Sequence, residues 1–593
     1  MRCKPYQYLV AASLLSGAAV ASPGCEESCK AFPGTHSWPS PRKWSSLNDT
    51  LDGRLIKPLA PGRVCHEGQP DFDEEQCAAV QQDWSSYNWH SDDPVSVMWD
   101  NWSNYTCLPD PKAPCSDRGY PSYVVNATAA EHVKAGIDFA RKNNVRLVVK
   151  SSGHDFLGRS NAPGSLSIWM HHMNDITFHK GEYRLTDSDT VVEGDAVTCG
   201  GGTEMYDLYK ATDEYGATVV GGMAKSVSAG GYITGGGHSQ LGPDYGLAAD
   251  QVLEMEVVTP RGKIITVNED NHPDLFWALR GGGGSTFGVV TSFTMKAHPT
   301  PKVQSFMFMA ATTPELPSAA DFVTFMASQA PNLVAAGLRG YAWLTMNGTN
   351  PVPAPGLPDR WSGLSGVLSL LNKGPEAVQE ILDPLNNTIL ERFNGTAFLQ
   401  TLPVESYDSW LDYYDVNFDN GTAGGGALLV SRLLDEEALT GDHEALKGAL
   451  QATTEASEII HFYLLGGKGI HEAKPRGGSN AVNPGWRKAY VHTLATSGLK
   501  PFDKAAEKEV KERLDRAYEP FRKLTPGMGA YVNEAAGFEK DPATTFWGTN
   551  YERLLRIKRS VDPHDVFWCS PCVGNERWAE REDGQLCQTG RRH

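Results

Sequence analysis

Val145-Arg146-Leu147-Val148-Val149-Lys150-Ser151-Ser152-Gly153-His154-Asp155 decides how the rest of the chain is read. A short apolar run rich in β-branched residues, ended by Ser-Ser-Gly, predicts a buried strand over 145–149. Upstream, Tyr123-Val124-Val125 predicts a second short strand, and Thr128-Ala129-Ala130-Glu131 has the spacing of a capping box that opens a helix. That helix puts Val133, Ile137 and Ala140 on one face and stops at Asn143-Asn144. Strand, helix and strand form a βαβ unit whose exit loop carries His154.

Further strands are predicted over 166–169 and 190–197, and a helix from near Thr203. Residues 218–220 lead into a glycine-rich stretch, Gly221-Gly222-Met223-Ala224-Lys225-Ser226-Val227-Ser228-Ala229-Gly230-Gly231-Tyr232-Ile233-Thr234-Gly235-Gly236-Gly237-His238. Residues 251–258 and 263–267 read as a strand pair turned at Pro260-Arg261-Gly262, and a second glycine run, 281–284, precedes a strand over 289–295. Glycine lets backbone N–H groups come close to a phosphate or a flat ring, whereas the bland reading of such runs is a tight turn. Neither run opens an amphipathic helix after a strand, which disfavours a Rossmann fingerprint, and no Gly-Lys-Ser/Thr follows, which removes the Walker pattern. A dinucleotide site of another kind is required.

Around this centre the chain has the marks of an exported protein. Arg2 and Lys4, the apolar run 9–20 and Ala19-Val20-Ala21 read as a signal peptide over residues 1–21, too short to span a bilayer. Eight Asn-x-Ser/Thr sequons, at Asn48, Asn101, Asn104, Asn126, Asn347, Asn386, Asn394 and Asn420, predict N-linked glycans. Ten cysteines remain after the leader, gathered at the two ends, and their even count predicts disulfides that staple the ends to the body. The net charge of −18 argues against a nucleic-acid partner, and no membrane partner is expected. Residues 22–115 are Cys-, Trp- and Pro-rich with little periodicity and read as an irregular, disulfide-tied extension. Residues 116–300 hold the motifs above, 301–544 have a different composition, and 545–593 return to the first domain and end in a Cys-bearing tail.

The ordered set Ser151-Ser152-Gly153-His154-Asp155, Gly221 to His238, Gly246-Leu247-Ala248-Ala249-Asp250, Asp274 to Gly284 and Asn550-Tyr551-Glu552-Arg553-Leu554 resembles the FAD-linked oxidases of the vanillyl-alcohol-oxidase superfamily. The similarity is to the berberine-bridge-enzyme-like branch, and above all to fungal isoamyl-alcohol-oxidase-type and 6-hydroxynicotine-oxidase-like proteins. It covers roughly 120–300 and 530–580. The resemblance implies an α+β fold: a PCMH-type FAD-binding domain of two subdomains, plus an α/β substrate domain whose sheet covers the flavin.

It further implies an FAD held by one covalent bond from His154 to the 8α-methyl group of the ring. Many relatives add a thioether from a cysteine, but the aligned segment here is Ala224-Lys225-Ser226-Val227-Ser228, so a single histidyl link is expected. Lys150, Ser151, Ser152, Gly153, Asp155 and Gly158 are expected along the pyrophosphate. Ser226, Val227, Gly231, Gly235, Gly236 and Gly246 follow the ribityl chain and ring, Val290 the adenine, and Asn550 and Tyr551 the pyrimidine end. Val227, being small, is expected to leave the flavin open to O2. Tyr531 and Glu534, on an expected active-site strand, are the candidates for the catalytic base, and Asp155 is an alternative as an orienter of His154.

Cys569-Ser570-Pro571-Cys572 reads as a disulfide rather than zinc, and His171-His172 as a loop pair without nearby acidic ligands, so no metal is expected. Trp410 to Tyr414 read as core, with an aromatic substrate platform kept as the alternative. The function these readings support is a secreted flavoprotein oxidase acting on a small molecule (an alcohol, an amine or a secondary metabolite), with hydride passing to FAD and O2 reduced to H2O2. An FAD-dependent dehydrogenase or oxidative cyclase, and a non-catalytic flavin- or glycan-binding glycoprotein, stay open as alternatives.

Overall fold

The computed structural model describes residues 28–313, 318–349, 359–418 and 421–589. The expected leader over 1–21, Cys25 and Asn420 lie outside the described residues. The fold is α+β, with three principal sheets. Tyr123–Asn126, Leu166–Trp169 and Leu147–Lys150 are parallel neighbours, and Leu55–Ile56 from the N-terminal extension adds an antiparallel edge. The helix Ala130–Asn143 connects two of these strands and buries Val133, Ile137 and Ala140, as the periodicity predicts. Its N-cap is Ala129, not Thr128, and makes no side-chain cap. Thr128 instead turns its N–H and hydroxyl toward His132 Nδ1, 3.3 Å away.

A second, antiparallel sheet runs Ile264–Asn268, Val252–Val258, Val289–Lys296, Ala196–Gly200 and Ile176–His179. The predicted strand over 190–197 is broken into Val191–Glu193 and Ala196–Gly200, because Gly194 between them sits at φ 101°, which no strand sustains. The first glycine stretch contains one short helix, Ala229–Gly235. Trp410, Tyr413 and Tyr414 are fully buried, as expected for core.

The third sheet has eight antiparallel strands, among them Val303–Thr312, Arg360–Leu371, Arg339–Thr349, Ile460–Leu464, Ala489–Leu499 and Gly426–Asp435. Strand alternation gives it two different faces. Ala342 and Leu344, Ile460, Phe462 and Leu464, and Val491 and Ala495 pack on the helices Ala319–Ser328, His443–Ala456 and Lys504–Leu524. The alternate residues therefore point the other way. Register sets Tyr341 opposite Tyr463 and Tyr463 opposite His492, forming one polar-aromatic row across three strands.

The extension before residue 115 is less irregular than its composition suggests, since it contains the helices Pro41–Thr50, Glu74–Asp83 and Tyr87–Asp92. Cys29–Cys587 ties the two ends of the chain to each other, while Cys65–Cys77, Cys107–Cys115 and Cys569–Cys572 close local loops. Cys199 departs from the expected full pairing. It is a free, fully buried strand residue whose thiol burial pushes up to about 12, so it behaves as a small apolar side chain.

Candidate active site

A cavity of about 360 Å³ lies where the glycine-rich loops of the first two sheets meet the inner face of the third. Its lower wall is Ser151, Ser152, Gly153, His154, Asp155, Arg159, Gly201, Ala224, Val227, Ser228, Gly230, Gly231, Gly283, Gly284 and Val290. Gly153, at φ 92°, makes the turn that aims His154 inward after the strand Leu147–Lys150. His154 Nε2 lies 2.8 Å from the hydroxyl of Ser226, which is itself fully buried behind the wall. Burial, with His90 and Lys150 nearby, pulls His154 down to about 3, so its imidazole is neutral.

The sequence-derived flavin residues divide into two groups. Ser151, Ser152, Gly153, His154, Asp155, Val227, Gly231 and Val290 are on the wall; Lys150, Gly158, Ser226, Gly235, Gly236, Gly246, Asn550 and Tyr551 are not. Lys150 turns away because its ammonium donates to the carbonyls of His90, Ser91 and Asp93, at 3.2, 3.2 and 2.8 Å, and fastens the N-terminal extension. A side chain at Gly158 would collide with Trp102, and one at Gly235 with Asn533, so these glycines serve packing. A Cβ on Gly246 would lie 2.9 Å from Asp250 Oδ2, and Gly236 caps the helix Ala229–Gly235. Asn550 Nδ2 donates to Val482 O at 2.9 Å and the Tyr551 hydroxyl to Glu576, so both are spent on local structure. Asp155 does not orient His154: its carboxylate accepts from Arg159 Nε at 3.0 Å and Nη2 at 2.6 Å. His171 is also corrected, since Asp92 Oδ1 lies 3.2 Å and Glu204 Oε1 3.8 Å from its ring nitrogens.

The upper part of the cavity is aromatic, with Tyr341, Tyr463 and Tyr531, and Tyr87 and Trp99 from the N-terminal extension. Tyr87 packs on the His154 ring at 4.8 Å between centroids. Tyr531 and Glu534 both line the cavity, though on a turn rather than a strand. The Tyr531 hydroxyl accepts from Gly237 N at 3.2 Å and from Asn533 Nδ2 at 2.9 Å, and burial pushes it above the usual phenol range. Glu534 sits between two imidazoles, with His238 Nε2 3.1 Å from Oε1 and His492 Nε2 2.9 Å from Oε2. Burial alone would raise the carboxyl, but His238 and His492 hold it below the usual carboxylate range, while burial lowers His492. An anion held this firmly is a poor base. His238 and His492 were missed by the sequence reading; His238 closes the quoted glycine stretch, whereas nothing around His492 marks it before its strand register is known.

The wall fits FAD. A Cβ built on Gly231 would meet nothing within 4 Å, so the glycine leaves open space where any side chain would project. Arg159 Nη1, Ser160 Oγ and Ser228 Oγ belong to wall residues and are buried without hydrogen-bond partners, as donors awaiting a polar ligand would be. None of the cavity-lining residues is a cysteine, and Ala224 occupies the wall where the resemblance sets a second flavin bond.

Comparison with known proteins names the class. The family profile "FAD binding domain" matches residues 121–268, and "Berberine and berberine like" matches 530–573. "FAD-linked oxidoreductase apf9" of Gibberella fujikuroi is 32% identical over 604 residues, covering 99% of this chain and 100% of that protein. "VAO-type flavoprotein oxidase VAO615" of Thermothelomyces thermophilus is 32% identical over 575 residues, 95% of each chain. The crystal structure of the VAO-type flavoprotein MtVAO713 from Myceliophthora thermophila C1 has a TM-score of 0.86 at 28% identity, covering 95% of this chain and all of that one. The chain belongs to the VAO-type family of FAD-linked oxidoreductases, in its berberine-bridge-like branch.

Proposed function

We propose that this oxidoreductase is an exported oxidase that carries FAD on one covalent bond from His154 and oxidises a small, largely apolar alcohol, amine or secondary metabolite. When bound, FAD takes a hydride equivalent from the substrate and passes the electrons to O2, giving H2O2. The observation that carries the reading is His154 itself: a neutral imidazole in the wall of a glycine-lined cavity, with Nε2 engaged by Ser226. That contact leaves Nδ1 as the nitrogen available for a bond to carbon. Ala224 and the absence of a lining cysteine support a single link. Small Val227 on the wall supports access for O2, and exposed Asn104, Asn347 and Asn394 support glycosylation of an exported chain.

The proton that leaves a substrate hydroxyl goes to His238 in this reading. Glu534 accepts from Nε2 and so sets the tautomer, which leaves Nδ1 as a lone pair without a hydrogen-bond partner. Tyr341, Tyr463 and Trp99 supply an apolar aromatic enclosure that excludes water. Intact mass and visible absorbance of the acid-precipitated protein test the tether, with His154→Ala and Ser226→Ala beside the wild type. A yellow pellet one FAD heavier is expected for wild type, none for His154→Ala, and incomplete attachment for Ser226→Ala. Peroxide release with a panel of aromatic and aliphatic alcohols and amines tests the oxidase assignment. A colourless wild-type pellet sinks the covalent reading.

A further inference from the structure

We propose that His238, His492 and Glu534 form a binding site for a zinc-class divalent cation, with an open coordination position facing the cavity. The inference goes beyond the oxidase reading and does not depend on it, because all three ligands belong to the protein. Each residue offers one ligand atom, and these atoms all lie within 4.8 Å of one another. Two imidazole nitrogens and a carboxylate are a donor set that holds zinc while leaving a fourth position for water or a ligand oxygen. Zinc bonds of about 2.0–2.1 Å in a tetrahedron put neighbouring ligand atoms roughly 3.3 Å apart. The two imidazoles here meet different oxygens, His238 Nε2 at 3.1 Å from Oε1 and His492 Nε2 at 2.9 Å from Oε2, so a shared ion takes one oxygen as ligand and draws the other imidazole toward it, within a span of 4.8 Å.

Charge points the same way. Among the described residues, Glu534 has ion-pair partners only in the two histidines and none in Lys or Arg. Its side chain is 23% exposed, that of His238 9% and that of His492 0%. The two imidazoles already keep this carboxylate an anion, and a cation placed among the three adds a full positive charge beside a largely buried negative one. The ligands are also held in place. His492 is mid-strand, paired in register with Tyr463 on one side and Leu433 on the other. The His238 ring packs against Tyr531 and Trp486, at 5.2 and 6.2 Å between centroids.

The outer shell sets the kind of site. Nδ1 of both histidines is buried with no hydrogen-bond partner, so neither has the second-shell acceptor that tightens a resident zinc. The site is therefore weaker than one whose histidines have such partners. Binding needs Nε2 of each ring free of its proton, which moves the N–H to Nδ1. A loaded site thus removes the lone pair on His238 that the oxidase reading assigns to the substrate proton, and added metal suppresses turnover.

The test uses the holoprotein, stripped with a chelator and titrated at neutral pH with Zn2+ alone by calorimetry. A parallel titration with Co2+ alone is read by its visible ligand-field bands. One equivalent bound by wild type is expected, with affinity reduced about 100-fold or more in His492→Asn and His238→Asn, because loss of an outer-shell partner alone costs 10–100-fold. His461→Asn, on the same sheet face but outside the ligand set, should bind like wild type and controls for disturbance of the fold. No binding by wild type, or undiminished binding by both ligand variants, overturns the proposal. Flavin colour and mass are recorded on the same samples. One zinc in a protein without tethered flavin would uphold the metal site while sinking the covalent-flavin reading.

Discussion

Glu534→Gln keeps the shape of the side chain and removes its charge. In the wild type the carboxylate accepts two hydrogen bonds, from His238 at 3.1 Å and His492 at 2.9 Å. A hydrogen bond to a charged group contributes about 1.5–3 kcal/mol, and a neutral one about 1. The amide oxygen of Gln satisfies one imidazole at the lower, neutral value. Its NH2 faces the other imidazole, which must surrender the Nε2 proton and carry it on Nδ1. For His492 that nitrogen is buried without an acceptor, and an unsatisfied donor costs a further ~1–3 kcal/mol. Because Glu534 is partly open to the cavity, we discount the sum and expect a net loss of about 2–3 kcal/mol.

The pH dependence has a definite sign. The folded Glu534 carboxyl lies below its ordinary value of 4.5, so the stabilisation is fully present above pH 4.5 and is lost as pH falls through the folded value. Urea unfolding of wild type and variant, followed by tryptophan fluorescence with chelator present, should show a constant gap through the neutral range and a narrowing gap in acid. A gap under about 0.5 kcal/mol at neutral pH, below the usual worth of even one neutral bond, would refute the reasoning. So would a gap that stays the same well below pH 4.5.

Gly231→Val should fold normally, since a Cβ at this position meets nothing within 4 Å, but the side chain would project into the cavity. The flavin-to-protein ratio of the purified variant should drop sharply with an unchanged far-UV circular dichroism spectrum, and full flavin loading would count against the cradle. Lys558→Met removes an ammonium that donates to Thr286 O at 2.8 Å, Asp562 Oδ2 at 2.7 Å and Phe567 O at 2.8 Å. It leaves the Asp562 carboxylate, 1% exposed, unpaired, and breaking a buried pair of this kind costs about 3–5 kcal/mol, measurable by denaturant titration.

The lower half of the site was legible because its signals are local. A strand, its exit loop and two glycine runs are each continuous in the chain, so they carry the family resemblance from which His154, Val227 and Gly231 are carried over. The upper half is made by register. His492, Tyr463 and Tyr341 come from three strands, and which face each presents depends on pairing that no short window of sequence contains. Asn550 and Tyr551 mark a separate limit, for their motif is present but serves a helix start and the contact with Glu576. Trp99 and Tyr87 were hidden by the lack of periodicity in a segment whose helices are short and joined by turns.

The Lys558 contact also orders events in time. Its ammonium binds the carbonyl of Thr286, just past the second glycine run, from 272 residues further along the chain, and Cys29 pairs with a partner 558 residues away. During synthesis the eight-stranded sheet has therefore emerged before the loops beneath it are clamped from behind. A chain truncated anywhere before residue 558 ends without that brace, however complete its glycine-rich loops are.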